Sequence, residues 1–562
     1  MHCWYVYKLE EIEIMKRRVL FAVMVAVTLL GGLFASCSEA AKSTPEESVE
    51  RLDKTYVFYS NWGQVGDKSA LDEIITEGNR SLIATMIAAN SGSFETMDYT
   101  KQLLRDLGTT GLDTSTPIYG YVEKGSESVE YTLVASVADA EKIDNFIEYF
   151  STMIDEKIDV KKDGNTRKFA ISVFNFAYDS DRFVMVAGAN PERLLDAALN
   201  SPAADLTAFS KYDVAYSLNI DKVMEYLCAD VEQKIDASNA YMERCTNSWE
   251  REWEAANIAK LENNLKTYET IKGMFEENSS LVYGLTYEAG RIVAEMSFDG
   301  LKSEYQFVQQ VSNDYLANVD NKALAVLNLG IDGEKVSDLL SEFVTADYAE
   351  TFGLGRNEFN IYFGILCDAV KSINGDATIA LLDLKGTQYG VSGANALLAV
   401  DVTDDYIMSN VSNFGAGFLQ NYGNNTYGLT YYNNNIKIGQ QEDTLFVTLN
   451  AELKEQVSPI TNKAWYAELS DSYGYLVVDV DNLMQNSFIS SSYRTMVNNM
   501  NSNSATYLNN LVDSISYAYL NINTPTSLQM VIAFEDHETN SLEQIMRQLA
   551  PLAISEITSD VF

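Results

Sequence analysis

Histidine is nearly missing from this sequence: 562 residues contain two, His2 and His537. A single histidine beyond the first few residues cannot build a histidine-based zinc cage. It also leaves any catalytic triad one candidate, inside the polar turn "FEDHETN". Cysteine is scarce too, five in all. Cys228, Cys245 and Cys367 lack metal-ligand spacing, and three thiols cannot all pair. A Cys228–Cys245 bridge is conceivable, but burial as free thiols is the simpler expectation. Basic residues are outnumbered two to one, 40 against 80 acidic, for a net charge of −40. Such a field repels phosphate backbones and argues against nucleic-acid binding; its plain consequence is solubility. No G-x-S-x-G elbow, P-loop or dinucleotide fingerprint occurs. The sequence therefore assigns no catalytic residue, no metal site and no cofactor.

Long apolar runs are also rare, and the one that occurs is informative. "MKRRVLFAVMVAVTLLGGLFASCSEAAK" (15–42) sets Lys16, Arg17 and Arg18 before an apolar stretch, then Ala35, Ser36 and Cys37. Basic start, apolar middle and small residues at the cut are the grammar of a signal peptide. The stretch is shorter than the ~20 residues a spanning helix needs. Leu33–Cys37 resembles a lipobox, with Phe34 where leucine is commonest. The expectation is a lipid on Cys37 and a protein held to a membrane by its acyl chains. Met15 reads as the initiator, and 1–14 as an extension ahead of it. Residues 1–36 are thus read as extension and signal peptide, and 37–53 as lipidated cysteine and flexible tether.

Beyond the tether the chain reads as written twice. "FSKYDVAYSLNIDKVMEYL" (209–227) matches "LSDSYGYLVVDVDNLMQNSF" (469–488). Apolar alternation, Tyr216-x-Leu218-x-Ile220 and Leu476-x-Val478-x-Val480, predicts strands. Asp221 and Asp481 are then expected to cap the helices that follow. Flanking stretches correspond in the same order: 54–76 with 321–343, 131–150 with 396–414, 167–188 with 434–450, and 280–300 with 514–536. Asn190-Pro191-Glu192 marks a helix start; its counterpart, Glu452-Leu453-Lys454, is weaker. The predicted halves are 54–318 and 319–562. The predicted class is α+β: internally duplicated, mainly antiparallel sheets with helices on one face. The first half carries a helical insertion over about 221–277, where proline is absent and Gly273 is the lone glycine. Trp249 and Trp253, four apart, share one face of that arm and are a candidate partner surface, or else pack on the parent domain.

The strand–Asp–helix modules, the opening "ALAVLNLGIDGEKVSDLL" and the lipobox-like leader together resemble a group of Bacteroidetes lipoproteins. That group carries a domain of unknown function, number forty-eight thirty-six. The resemblance spans most of 54–562 and implies an envelope lipoprotein; it brings no catalytic residues.

Acidic pairs such as Asp179/Asp181, Asp404/Asp405, Glu442/Asp443 and Asp479/Asp481 read as turn tips and helix caps. In "QNYGNNTYGLTYYNNN" (420–435), Tyr427, Tyr431 and Tyr432 are candidate ligand-binding residues, since aromatics among amides stack on sugars or peptides. The functional expectation is a non-enzymatic binding or scaffolding lipoprotein. Its lipid holds it to the outer membrane, on the periplasmic or the surface side, with an envelope protein or glycan as partner. The rival is a carboxylate-dependent hydrolase of envelope glycan or peptide.

Overall fold

In the computed structural model the described residues are 50–559, apart from 52–53, 125–128, 345–352, 354, 388–389, 416, 432–433 and 501. The chain forms two compact units. One holds the residues up to Asn219, Val282–Val293 and those from Asp536 on; the other holds Ile220–Leu281 and Ala294–Glu535.

The first unit contains an antiparallel sheet of β1 (Tyr56–Ser60), β2 (Ile118–Lys124), β3 (Val129–Ser136), β4 (Lys161–Asp163), β5 (Thr166–Ile171), β6 (Phe174–Tyr178), β7 (Arg182–Ala187) and β8 (Val214–Asn219). Its ladders run β8–β1–β2–β3–β7–β6–β5–β4. Three helices start where short polar side chains can hold their first N–H groups. Asn61 caps α1 (Trp62–Ser69), Asp139 caps α2 (Ala140–Ile154), and Asn190 caps α3 (Pro191–Asn200), which opens on proline as read from the sequence. Ile143 and Ile147 of α2 pack with Phe169 and Phe176. Leu194, Leu195 and Ala198 of α3 pack with Ala177, Val184 and Val186. Phe176 and Ala177 are neighbours on β6, so they point to opposite faces. Helices therefore cover both faces of this sheet, a correction to the expected single face. The physical reason is that β6 and β7 are apolar at nearly every position, so both of their faces must be buried.

In the second unit, α4 (Ile220–Arg244) and α5 (Ser248–Gly273) pair as a long helical hairpin over the stretch expected to be a helical arm. β9 (Phe275–Glu288) and β10 (Arg291–Leu301) follow it, each divided between the two units. The sheet of this unit uses β11 (Ala325–Asp332), β12 (Ile373–Thr387), β13 (Gly390–Val402), β14 (Gln420–Gly423), β15 (Thr426–Tyr431), β16 (Asn434–Gln441), β17 (Thr444–Leu449), β18 (Gly474–Asp479), β19 (Ile515–Thr524) and β20 (Ser527–Phe534). Its antiparallel ladders run β20–β19–β18–β11–β12–β13–β17–β16–β15–β14. Asp332 caps α6 (Gly333–Phe343). α7 (Arg356–Lys371) and α8 (Tyr406–Gly415) follow.

The expected caps are corrected, and the buried face of the 469–488 strand is settled by the structure. Asp479, not Asp481, caps α9 (Val480–Gln485), accepting from Asn482 N at 2.9 Å. Asp481 sits inside the first turn, and Asp221 likewise lies inside α4. The buried apolar side chains of β18 are Tyr475 and Val477, whereas Leu476 is exposed and Val478 half-buried. Both sets are apolar, so alternation alone does not say which faces the deeper core. A buried polar network decides it. Tyr475 OH donates to Asn313 Oδ1 (2.6 Å), Asn328 Nδ2 donates to the same oxygen (3.0 Å), and Thr378 Oγ1 donates to Asn328 Oδ1 (2.9 Å). Asp376, also buried, accepts from the N–H groups of Ser312 and Asn313. These bonds tie the segment around residue 313 over one face of the sheet, and polar groups so buried must stay paired.

In the first unit, Asp213 has the corresponding duty. It is almost fully buried, accepts both carboxylate bonds from Lys68 Nζ at 2.7 Å, and accepts from Tyr287 N at 2.7 Å. Its own N–H donates to Leu285 O at 2.9 Å, joining the approach to β8 to β9. Asp213→Ala should therefore cost about 2–3 kcal/mol, since it strands an ammonium and a buried N–H together. Urea unfolding should show a lower midpoint at unchanged slope; an unchanged midpoint would mean that the carboxylate is dispensable.

Candidate functional site

The ladder register of the second unit aligns one residue per strand in a row across the sheet. From β20 to β15 the row reads Met530, Leu520, Leu476, Leu327, Ile379, Leu398, Val447, Ile438 and Tyr427. Two residues up or down the same strands, this face carries Ala325, Leu329, Ala377, Leu381, Val478, Ala518, Ile522, Leu528 and Ile532. No charged side chain stands among them, in a chain with 80 carboxylates. Directly opposed residues bring their Cβ atoms within about 5.5 Å, so the row is a continuous apolar strip. At its Tyr427 end it is covered: Tyr427 and Ile438 pack on Val402, Met408 and Leu445, with Met408 supplied by α8. At the other end it is open. Ile379, Leu476 and Met530 are 46%, 39% and 42% exposed. With strands about 4.8 Å apart, the open part extends about 19 Å. A second apolar surface lies on α7, where Ile361, Tyr362 and Leu366 are exposed.

The residues picked from sequence fall in several places. Cys37 and Tyr432 lie outside the described residues. The Tyr-rich stretch forms the β14–β15 hairpin, turning at Asn424 and Asn425, both with positive φ as a two-residue type I′ turn requires. Tyr427 is half-buried and closes the apolar row, whereas Tyr431 is exposed near the end of β15. Trp249 and Trp253 lie on α5, with both rings exposed instead of packed on a parent domain. Sequence reasoning missed Ile379, Leu476 and Met530. The available signal was a run of strands apolar on both faces, such as "ATIALLDL" and "GYLVVDV", which need cover on both sides.

The carboxylates serve as turn formers and braces. Asp179 accepts from the N–H groups of Asp181 and Arg182 at a hairpin tip. Asp404 accepts from Tyr406 N, and Asp479 pairs with Lys463 at 2.7 Å. Glu130 is braced by Arg193 at 2.6 Å. Asp536, beside His537, turns the chain. Hydrogen bonds from Thr539, reinforced by the Glu538 N–H, hold its carboxyl below the usual carboxylate range. Among the described residues no cluster of three or more histidine, cysteine or carboxylate side chains is placed to hold a metal ion. Cys228, Cys245 and Cys367 are free thiols.

A family model, that of a domain of unknown function (DUF4836), matches residues 47–542. The chain belongs to the DUF4836 family. Its matched span contains the whole apolar row, the helical hairpin and the β14–β15 hairpin. No curated protein and no solved structure matches the chain. Among the described residues of this DUF4836 chain, no helix is long and apolar enough to cross a membrane.

If the row is open to solvent, polar replacements there should be harmless to folding. Leu476→Asn with Met530→Gln should keep the thermal midpoint within about 2 °C, since surface changes stay near ±0.5 kcal/mol. The same pair should reduce binding of a hydrophobic dye such as bis-ANS. A large drop in midpoint would mean that these side chains are core.

Proposed function

We propose that this chain is an envelope lipoprotein, anchored through lipid on Cys37, that binds a partner protein and does no chemistry on it. The observation that carries the binding role is the uncharged sheet face of the second unit. In a protein of net charge −40, a contiguous face without a charged residue is costly to leave wet unless something covers it. Depletion of charge around exposed Leu, Ile and Met is also the composition of interface cores. The anchor rests on the leader: basic cluster, short apolar run, small residues and cysteine. The proposed location is the outer membrane, on its periplasmic or its surface side.

We infer also that the two matching sets of eight strands arose by duplication, with the α4–α5 hairpin as an insertion. The support is topological. The first ladder order, β8–β1–β2–β3–β7–β6–β5–β4, becomes β18–β11–β12–β13–β17–β16–β15–β14 when ten is added to every label, and the second unit has that order. The crossover between third and seventh strands recurs, and independent folds have little reason to share it.

Two measurements test the functional reading. Cys37→Ser should abolish labelling by radioactive palmitate and move the protein out of the membrane fraction; persistent labelling would reject the anchor. A photo-crosslinking residue at Leu476 should trap one discrete adduct in intact cells, and the same residue at exposed Lys260 should not. Absence of an adduct at Leu476, or equal adducts at both places, would reject the sheet face as a binding surface.

A further inference from the structure

The tip of the α4–α5 hairpin offers a second surface, unrelated to the sheet face. Three residues, Cys245 to Asn247, connect the helices, and Asn247 caps α5 by accepting from Trp249 N at 3.1 Å. Trp249 and Trp253, one turn apart, are 69% and 60% exposed. Indoles are seldom left this bare, and tryptophan is the residue most enriched where binding energy concentrates. Tyr241, also exposed, donates its hydroxyl to Glu250 at 3.5 Å.

Acidic side chains outnumber basic ones around the two rings: from 241 to 254 four glutamates stand against two arginines. Glu243 and Glu252 are exposed, and Glu250 is half-exposed. Both arginines are exposed and each is tethered to the backbone through Nε: Arg244 Nε donates to Ala240 O at 2.8 Å and Arg251 Nε donates to Cys245 O at 2.7 Å. The outward surface thus presents aromatic faces with carboxylates in excess over guanidinium groups. An anionic headgroup would be repelled, by the tip and by the net charge of −40 alike. A lysine or arginine side chain gains twice, from stacking on an indole face and from pairing with a neighbouring carboxylate.

We propose that this tip docks a cationic protein segment, with Trp249 and Trp253 as stacking platforms for its Lys or Arg side chains and Glu252 and Glu243 as their counter-charges. The proposal does not depend on the sheet face.

The test uses the chain from Ser38 onward, which retains every described residue, at physiological salt. Trp62 and Trp465 are 2% and 1% exposed, so quenching of accessible tryptophan fluorescence reports on the tip. Titration with a nona-arginine peptide should give saturable quenching. Trp249→Ala with Trp253→Ala should weaken binding about tenfold, with helix content by circular dichroism unchanged. Affinity, where fluorescence is lost with the rings, is read by anisotropy of labelled peptide. Trp249→Phe with Trp253→Phe should restore most of it, and Glu243→Gln with Glu252→Gln should weaken it about threefold. Equal affinity in the double alanine variant would overturn the proposal, since the attraction would then be diffuse. A wild type that ignores the peptide would overturn it too. So would one that instead partitions onto phosphatidylcholine vesicles, which would make the tip a lipid-surface probe.

Discussion

Strict alternation along paired antiparallel strands is the constraint on which this structure depends. Once β18 lies beside β11 with Leu327 opposite Leu476, every side chain in the second sheet is committed to one face or the other. One face receives Asn328, Thr378, Tyr475 and Asp376, whose polar atoms need partners and find them on one another and on the segment around Asn313. The other face receives a row of Leu, Ile, Val and Met. A slip of one residue would carry these side chains away from their partners and set Leu327, Leu476 and Ile379 against the segment around Asn313, leaving its buried polar groups unpaired at about 1–3 kcal/mol each. The polar network therefore holds the register, and the register makes the apolar row.

The excess of carboxylates fits the same picture. Asp139, Asp332 and Asp479 hold helix starts, Asp179 holds a turn, and Asp213 and Glu130 are braced by a lysine and an arginine. Acid is thus spread through local duties and over the outer surface, while the row is kept free of it. That separation gives the two proposed surfaces opposite characters. The sheet face repels nothing by charge and selects by shape and apolarity. The hairpin tip, with two indoles among glutamates, selects by charge and by ring stacking.

Much of the fold was legible in the sequence because its signals are local. Asn190-Pro191 announced α3, Asp139 sat between its strand and its helix, and the acidic pair Asp179/Asp181 marked a hairpin tip. The composition of 221–277 foretold the helical hairpin. Other details were not legible. The cap of α9 was placed two residues late, because Asp479 and Asp481 offer the same side chain, and only the end of the ladder with β19 tells them apart. Tyr427, a stacking candidate by sequence, lies at the covered end of the row, because α8 places Met408 against it.

By itself, the sequence determined that helices follow strands at the acidic junctions, to within a residue or two, where strands turn and how strongly the chain repels anions. Those properties depend on side chains a few residues apart or on a simple sum of charges. Only the tertiary structure decided which apolar positions are core and which stay wet. Leu476 and Val477 are equally apolar neighbours, yet one is exposed and the other buried. The difference comes from what lies across them: distant segments bring cover to Val477, and none of comparable closeness to Leu476. Burial is a property of the space around a residue, and that space is filled by parts of the chain up to hundreds of residues away.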